Sequence, residues 1–256
     1  MTLLRSSLSS LIYYSARWLG QKEKGVRILC YHSVSDEEKK YTTVPIQNFR
    51  DQIRFLSERG YHTIGLNDLL NSCVDEKSIV VTFDDGFRDN YEHAFPVMKQ
   101  FGFRGVVFCI AEKIETEGYL NVGQIREMVE EGFEFGSHSL SHPELTALRN
   151  QEKEREIIES KQHLEKELGV EIDFFCYPKG LYDEEVIEWV KKAGYRGACS
   201  NIPGTNEEGK NGQKINPYLL KRTEISNTDT LDDFKKKIAG AYDLMHKALH
   251  AVRGRP

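Results

Sequence analysis

Strand-like and helix-like runs alternate along almost the whole of this chain, and that alternation restricts the fold more than any other feature. Arg27–Val34, Ser78–Asp85, Arg104–Ile110, Phe133–Ser137, Asp173–Pro178 and Arg196–Ser200 are short, apolar runs of strand type. Between them, Ile46–Arg59, Asp89–Phe101, Val122–Glu131, Gln151–Leu168 and Glu184–Ala193 read as helices. Phe49, Ile53 and Leu56 have helical spacing, and Gly132 and Gly169 stand where two helices should stop. Pro96 predicts a kink or a limit inside its run. Asn201–Asn216, rich in Gly, Asn, Glu and Lys, reads as a loop, and Leu219–Ile225 as a last strand. Thr230 or Asp232 can cap a final helix that runs to about Ala251. Strand–helix alternation of this regularity predicts a parallel sheet covered by helices, either a barrel or a doubly wound sheet. At 256 residues the chain fits one such domain.

The ends of these strands carry the chemistry. Thr82-Phe83-Asp84-Asp85-Gly86 puts two adjacent carboxylates after an apolar run. Neighbouring residues of a strand face opposite ways, so the two carboxylates are free to do different things. Ser137-His138-Ser139-Leu140-Ser141-His142 puts two imidazoles four residues apart, just past another strand, with three serines that can orient the rings. One carboxylate and two histidines make a minimal metal shell with open positions, and the second carboxylate can act as a base beside it. The combination points to metal-assisted hydrolysis. His32, at the end of the first run, faces the site if that run belongs to the sheet. His246 and His250 repeat the four-residue spacing inside a helical pattern, where a solvated face explains them.

Composition narrows the partners. A net charge of −5 leaves no basic face for nucleic acid. The five cysteines are scattered and odd in number, with no Cys-x-x-Cys pair, as expected of reduced core thiols in a cytoplasmic protein. No run approaches the roughly 18 apolar residues of a membrane span. Leu4, Leu8, Leu11 and Trp18, with Arg5 and Arg17, make residues 1–25 an amphipathic helix that docks on the domain itself or on a membrane surface. That leaves the inner membrane face, and export, as alternatives to a free cytoplasmic location.

The two site motifs, in this order, resemble those of the polysaccharide deacetylase family, also called the NodB homology domain or carbohydrate esterase family 4. Phe174-Phe175-Cys176-Tyr177-Pro178-Lys179-Gly180 is similar to that family's third motif. The resemblance covers about residues 26–230 and implies a distorted (β/α)7-type barrel, with 26–256 as the catalytic domain. The reaction it implies is hydrolysis of N-acetyl groups, less often O-acetyl groups, on sugars. Carried over by motif, Asp84 is the general base, and Asp85, His138 and His142 hold a divalent metal: zinc, or else cobalt, manganese or nickel. Tyr177, Pro178 and Lys179 line the acetyl pocket, and a backbone N–H there binds the oxyanion.

Two departures matter. Many members have an arginine against the base where this chain has Cys176, and Arg222 is the candidate replacement. Leu244-Met245-His246 superficially fits the family's acid-bearing motif. The chain looks more like the subgroup resembling poly-N-acetylglucosamine deacetylases, in which an N-terminal Tyr-His supplies the acid, and this favours His32. The expected substrate is a glycan containing N-acetylglucosamine. An O-acetyl ester, a lipid-linked glycan, and a non-catalytic carbohydrate-binding role are the alternatives.

Overall fold

The computed structural model describes residues 25–243 apart from 38–39, 72 and 208–213. Among the described residues the strands are β1 (Val26–Tyr31), β2 (Ser33–Val34), β3 (Thr43–Val44), β4 (His62–Thr63), β5 (Ser78–Phe83), β6 (Val106–Cys109), β7 (Glu134–Ser137), β8 (Phe174–Cys176), β9 (Gly197–Cys199), β10 (Thr205–Asn206) and β11 (Thr223–Glu224). The α-helices are α1 (Ile46–Glu58), α2 (Leu66–Leu70), α3 (Phe95–Gln100), α4 (Val122–Glu130), α5 (Asn150–Glu154), α6 (Ser160–Leu168), α7 (Glu184–Lys192) and α8 (Leu231–Ile238).

The order β1-β5-β6-β7-β8-β9 is parallel throughout and forms a curled half-barrel in a single α/β domain. The seam between β9 and β1 is crossed by one segment. Leu220 bridges Cys199, Thr223 and Glu224 pair with Leu29 and Cys30, and the Ile225 N–H donates to the Cys30 carbonyl.

Alternation along the strands sorts two cores. Val26 and Ile28, Val80, Val106 and Phe108, Phe174 and Cys176 lie in the inner one, which Leu66 and Leu69 of α2 join. Leu29 and Tyr31, Val81 and Phe83, Val107, Phe135 and Phe175 lie in the outer one, against Phe49, Ile53 and Leu56 of α1 and the corresponding faces of the other helices. Each such side chain contributes roughly 1.5–3 kcal/mol on burial.

Several elements differ from the sequence reading. The run around Pro96 is a π turn, Asn90–Ala94, leading into α3, because proline has no N–H for the regular helical bond. A second π turn, Arg155–Glu159, separates α5 from α6. β4 and α2 are too short for periodicity to reveal. The expected 201–216 loop contains β10, which pairs antiparallel with Val26 and Arg27. The expected last strand shrinks to β11, preceded by a 3₁₀ turn at Pro217–Leu219. The amphipathic segment, His246, His250 and the far end of the final helix lie outside the described residues. No helix among the described residues is long and apolar enough to cross a membrane.

Candidate active site

One step past β5, the alternation that turns Val80 and Thr82 inward also turns Asp84 inward, where it is 2% exposed. Its N–H donates to the Tyr31 carbonyl at 2.9 Å, so the ladder with β1 extends to this residue. The same alternation brings Cys30 and Cys176 beside it, and both thiols donate to Asp84 Oδ2 at 3.6 Å. Burial pushes both thiols well above their usual range, so they act as weak donors rather than thiolates.

Arg222 enters this layer from the seam, one residue before β11, and is among the largest fully buried side chains. Its Nη1 and Nη2 donate to Asp84 Oδ1 and Oδ2 at 2.6 and 2.8 Å, a bidentate pair. The remaining donors are also engaged: Nε with the Ser200 carbonyl, Nη1 with Thr82 Oγ1, and Nη2 with Asn201 Oδ1 and Cys176 Sγ. Burial alone would push the Asp84 carboxyl up. The Arg222 guanidinium, through its charge and its hydrogen bonds, outweighs it and holds the group well below the usual carboxylate range.

Asp85 is left-handed, at φ 72°, which breaks the strand alternation, and like Asp84 it has a carboxylate oxygen within 4.8 Å of a His138 ring nitrogen. Gly86 follows at φ 75°, where an added Cβ would come within 3.0 Å of Cys109 Sγ. Asp85 Oδ1 lies 3.7 Å from Nε2 of both His138 and His142, and the two rings are 4.6 Å apart. His138 Nδ1 donates to the Cys176 carbonyl at 2.8 Å, which leaves Nε2 as the free lone pair facing Asp85. Burial lowers the His138 pKa against the pull of Asp84 and Asp85, so the imidazole is neutral at pH 7.

The three serines of the loop do not orient the rings. Ser137 Oγ donates to Ser160, Ser139 Oγ accepts the His142 N–H, and Ser141 Oγ donates to Glu156. Of the five described non-glycine residues with positive φ, four lie here: Asp85, Ser139, His142 and Lys179. Such conformations persist only where the surroundings fix them, and they cluster at functional sites.

His32 Nε2 is 3.9 Å from Asp84 Oδ2. The His32 carbonyl accepts from Asn90 Nδ2 at 2.7 Å, while Asp89 accepts from Ser33 Oγ and the Val34 N–H. The third motif divides. Tyr177 is fully buried, its hydroxyl donating to the Tyr218 carbonyl, so it shows the site backbone only. Pro178 is buried as well. Lys179 is exposed, left-handed at φ 58°, with Nζ 3.9 Å from Glu144. Asn90, Asn201 and Glu156 escaped the sequence reading, since each sits in a polar run with nothing periodic to mark it.

Among the described residues, three groups bring possible metal donors within 4.8 Å of one another. Two of them include Asp84, whose oxygens are already held by a guanidinium and by protonated thiols. The third, Asp85, His138 and His142, fits a divalent cation. It offers a carboxylate, two Nε2 atoms facing it, one tautomer fixed by hydrogen bonding, and two members open to solvent.

A family model described as polysaccharide deacetylase matches residues 71–198. The Bacillus subtilis (strain 168) protein YxkH, whose name places it among polysaccharide deacetylases, is 30% identical over 213 residues, 80% of this chain and 73% of YxkH. The poly-beta-1,6-N-acetyl-D-glucosamine N-deacetylase of Staphylococcus aureus is 24% identical over 261 residues, 90% of this chain and 88% of the relative. The crystal structure of Bacillus anthracis BA0330, likewise named among polysaccharide deacetylases, has a TM-score of 0.75 at 30% identity, covering 84% of this chain and 69% of that one.

Proposed function

This chain belongs to the polysaccharide deacetylase family, and we propose that it is a metal-dependent hydrolase that removes N-acetyl groups from N-acetylglucosamine-containing glycans and releases acetate. The observation that carries the reading is the pairing of two adjacent carboxylates with different partners. Asp85 faces two imidazole Nε2 atoms at 3.7 Å, and Asp84 is held ionised by Arg222 next to them.

Asp85, His138 and His142 would hold a divalent metal, zinc first, which when bound would supply Lewis acidity toward the acetyl carbonyl and a water. Asp84 takes the proton of that water at a carboxylate oxygen. A backbone N–H at Lys179 donates to the developing oxyanion, a contact typically worth ~3 kcal/mol. His32 gives a proton to the leaving amine, which departs poorly unless protonated. The named activity of the Staphylococcus aureus relative supports the N-acetylglucosamine substrate. The five free thiols support a reducing compartment.

Acetate release from N-acetylglucosamine oligomers by the purified protein, stripped of metal and then given zinc, tests the reading. Release should vanish on stripping and return with zinc. Full activity in the stripped protein would refute metal dependence. Loss of the acid should depend on the leaving group. His32→Ala is expected to slow N-acetyl hydrolysis by about 10²-fold, within the usual range for general acid catalysis, and an aryl acetate ester much less. Equal slowing of both substrates would remove His32 from the acid role.

A further inference from the structure

We infer that Glu156, on the second π turn, is the positioning residue that holds the His142 end of the metal site in place. The inference rests on the metal reading given above. The loop from Ser139 to His142 is bent by two non-glycine residues in the left-handed region, Ser139 at φ 65° and His142 at φ 66°. A chain left to itself abandons such a shape, so something must hold it.

The hold comes from two sides. From one side, the Ala111 and Glu112 N–H groups donate to the Ser139 and Leu140 carbonyls at 3.1 and 3.0 Å. From the other, a single carboxylate collects the loop's outward donors. Glu156 Oε2 accepts the Leu140 N–H at 3.1 Å and the Ser141 N–H at 2.9 Å, and Oε1 accepts Ser141 Oγ at 2.7 Å. The Glu156 backbone carbonyl also meets the Leu140 N–H, at 3.1 Å. A regular helical turn commits its carbonyls to the N–H four residues on, whereas the wider π turn presents this one to the loop.

The same stretch of helix has two further tasks. Ile157 is fully buried in the outer core. Ser160 accepts from Ser137 Oγ, at the start of the loop. The residues between β7 and the end of the histidine motif are thus tied at both ends to Glu156–Ser160. Among the described residues the His142 ring has no hydrogen bond equivalent to the one that His138 makes with the Cys176 carbonyl, so its place depends on the loop backbone. Removing the Glu156 side chain leaves the Ser141 N–H and hydroxyl without their acceptor, leaves the Leu140 N–H with the backbone carbonyl alone, and loosens the backbone that holds φ 66°.

Glutamine should largely substitute. Its amide oxygen can accept the two N–H groups, and its NH₂ can donate to Ser141 Oγ, which is able to accept. A role through hydrogen bonding is thereby separated from one through charge.

The experiment is titration of the metal-stripped protein with Zn²⁺ against a chromophoric chelator, with circular dichroism on each variant. Glu156→Ala should keep its fold and bind Zn²⁺ about 10–100-fold more weakly, the usual effect of losing a residue that orients a ligand. Glu156→Gln should stay within about threefold of the unsubstituted protein. Folded Glu156→Ala with unchanged affinity would overturn the inference while leaving the metal reading intact. If Glu156→Ala does not fold, Ser141→Ala, which loses one bond of the three, decides: weaker binding supports the positioning role and unchanged binding overturns it. Failure of the unsubstituted protein to bind Zn²⁺ would overturn the metal reading and this inference with it.

Discussion

Asp84→Asn is expected to lower the rate of acetate release by about 10³-fold, in the range that general base catalysis supplies, while Zn²⁺ affinity stays within a few-fold of the unsubstituted protein. The substitution keeps shape and volume but removes the basic oxygen. It also sets an amide NH₂ against one arm of the Arg222 fork, where two donors then face each other. The proposed ligands Asp85, His138 and His142 are untouched, so turnover and metal binding should separate. Zinc titration and acetate assay on one preparation check both halves, and near-normal turnover would end the base assignment. A pH argument accompanies it. With its pKa held below the ordinary range, Asp84 is ionised at neutral pH. An acidic limb in the rate between about pH 5 and 7 then does not belong to this carboxylate. In stability, a depressed carboxylate contributes fully above its unfolded value, near 3.9, and loses that contribution only as pH falls through the folded value.

Arg222→Met should be the most damaging single change to the fold that this site offers. Removing one member of a buried ion pair typically costs about 3–5 kcal/mol, because the other charge stays behind without its partner. For a domain of this size that corresponds to a fall in melting midpoint of about 10 °C. The Ser200 carbonyl and Asn201 Oδ1 also lose their donor. Burial is the largest influence on Asp84 and acts upward; with Arg222 gone it prevails, so the carboxyl pKa rises above the unfolded value. A carboxyl raised in this way stabilises the fold at low pH, and that benefit is lost as pH increases through the folded value. The deficit should therefore shrink toward pH 5, and the acid limb of the residual activity should move to higher pH. Melting curves at pH 5 and pH 8 measure this directly. A midpoint within about 2 °C of the unsubstituted protein at both would show that the pair contributes little. Arg222→Lys keeps a charge but not the fork, and should recover only part of the loss.

The legible part of this protein was local. Short apolar runs marked β5, β6, β7, β8 and β9 to within two residues and β1 to within three, because strand-forming residues cluster locally. The pairing of Asp84-Asp85 with His138 and His142 was readable because both motifs end strands of one parallel sheet, and parallel strands bring their C-terminal ends to the same edge. Arg222 stood as a candidate from the missing arginine at Cys176, but its bidentate grip on Asp84, across 138 residues, depends on how the sheet closes. The seam segment is barely a strand and carries no period. Glu156, Asn90 and Asn201 lie deeper still, in charged or polar stretches that look solvated until another loop comes to rest on them.

By itself, then, the sequence determined what has a local pattern or a short motif: the alternating α/β architecture and two candidate ligand-bearing turns at strand ends. Only the tertiary structure decided which distant polar groups meet, namely the arginine that neutralises the buried carboxylate and the glutamate that clamps the histidine loop. The physical reason is that facing and turn geometry depend on neighbours a few residues away. A buried ion pair or a strained loop is held by partners that chain closure delivers, and no local pattern encodes them.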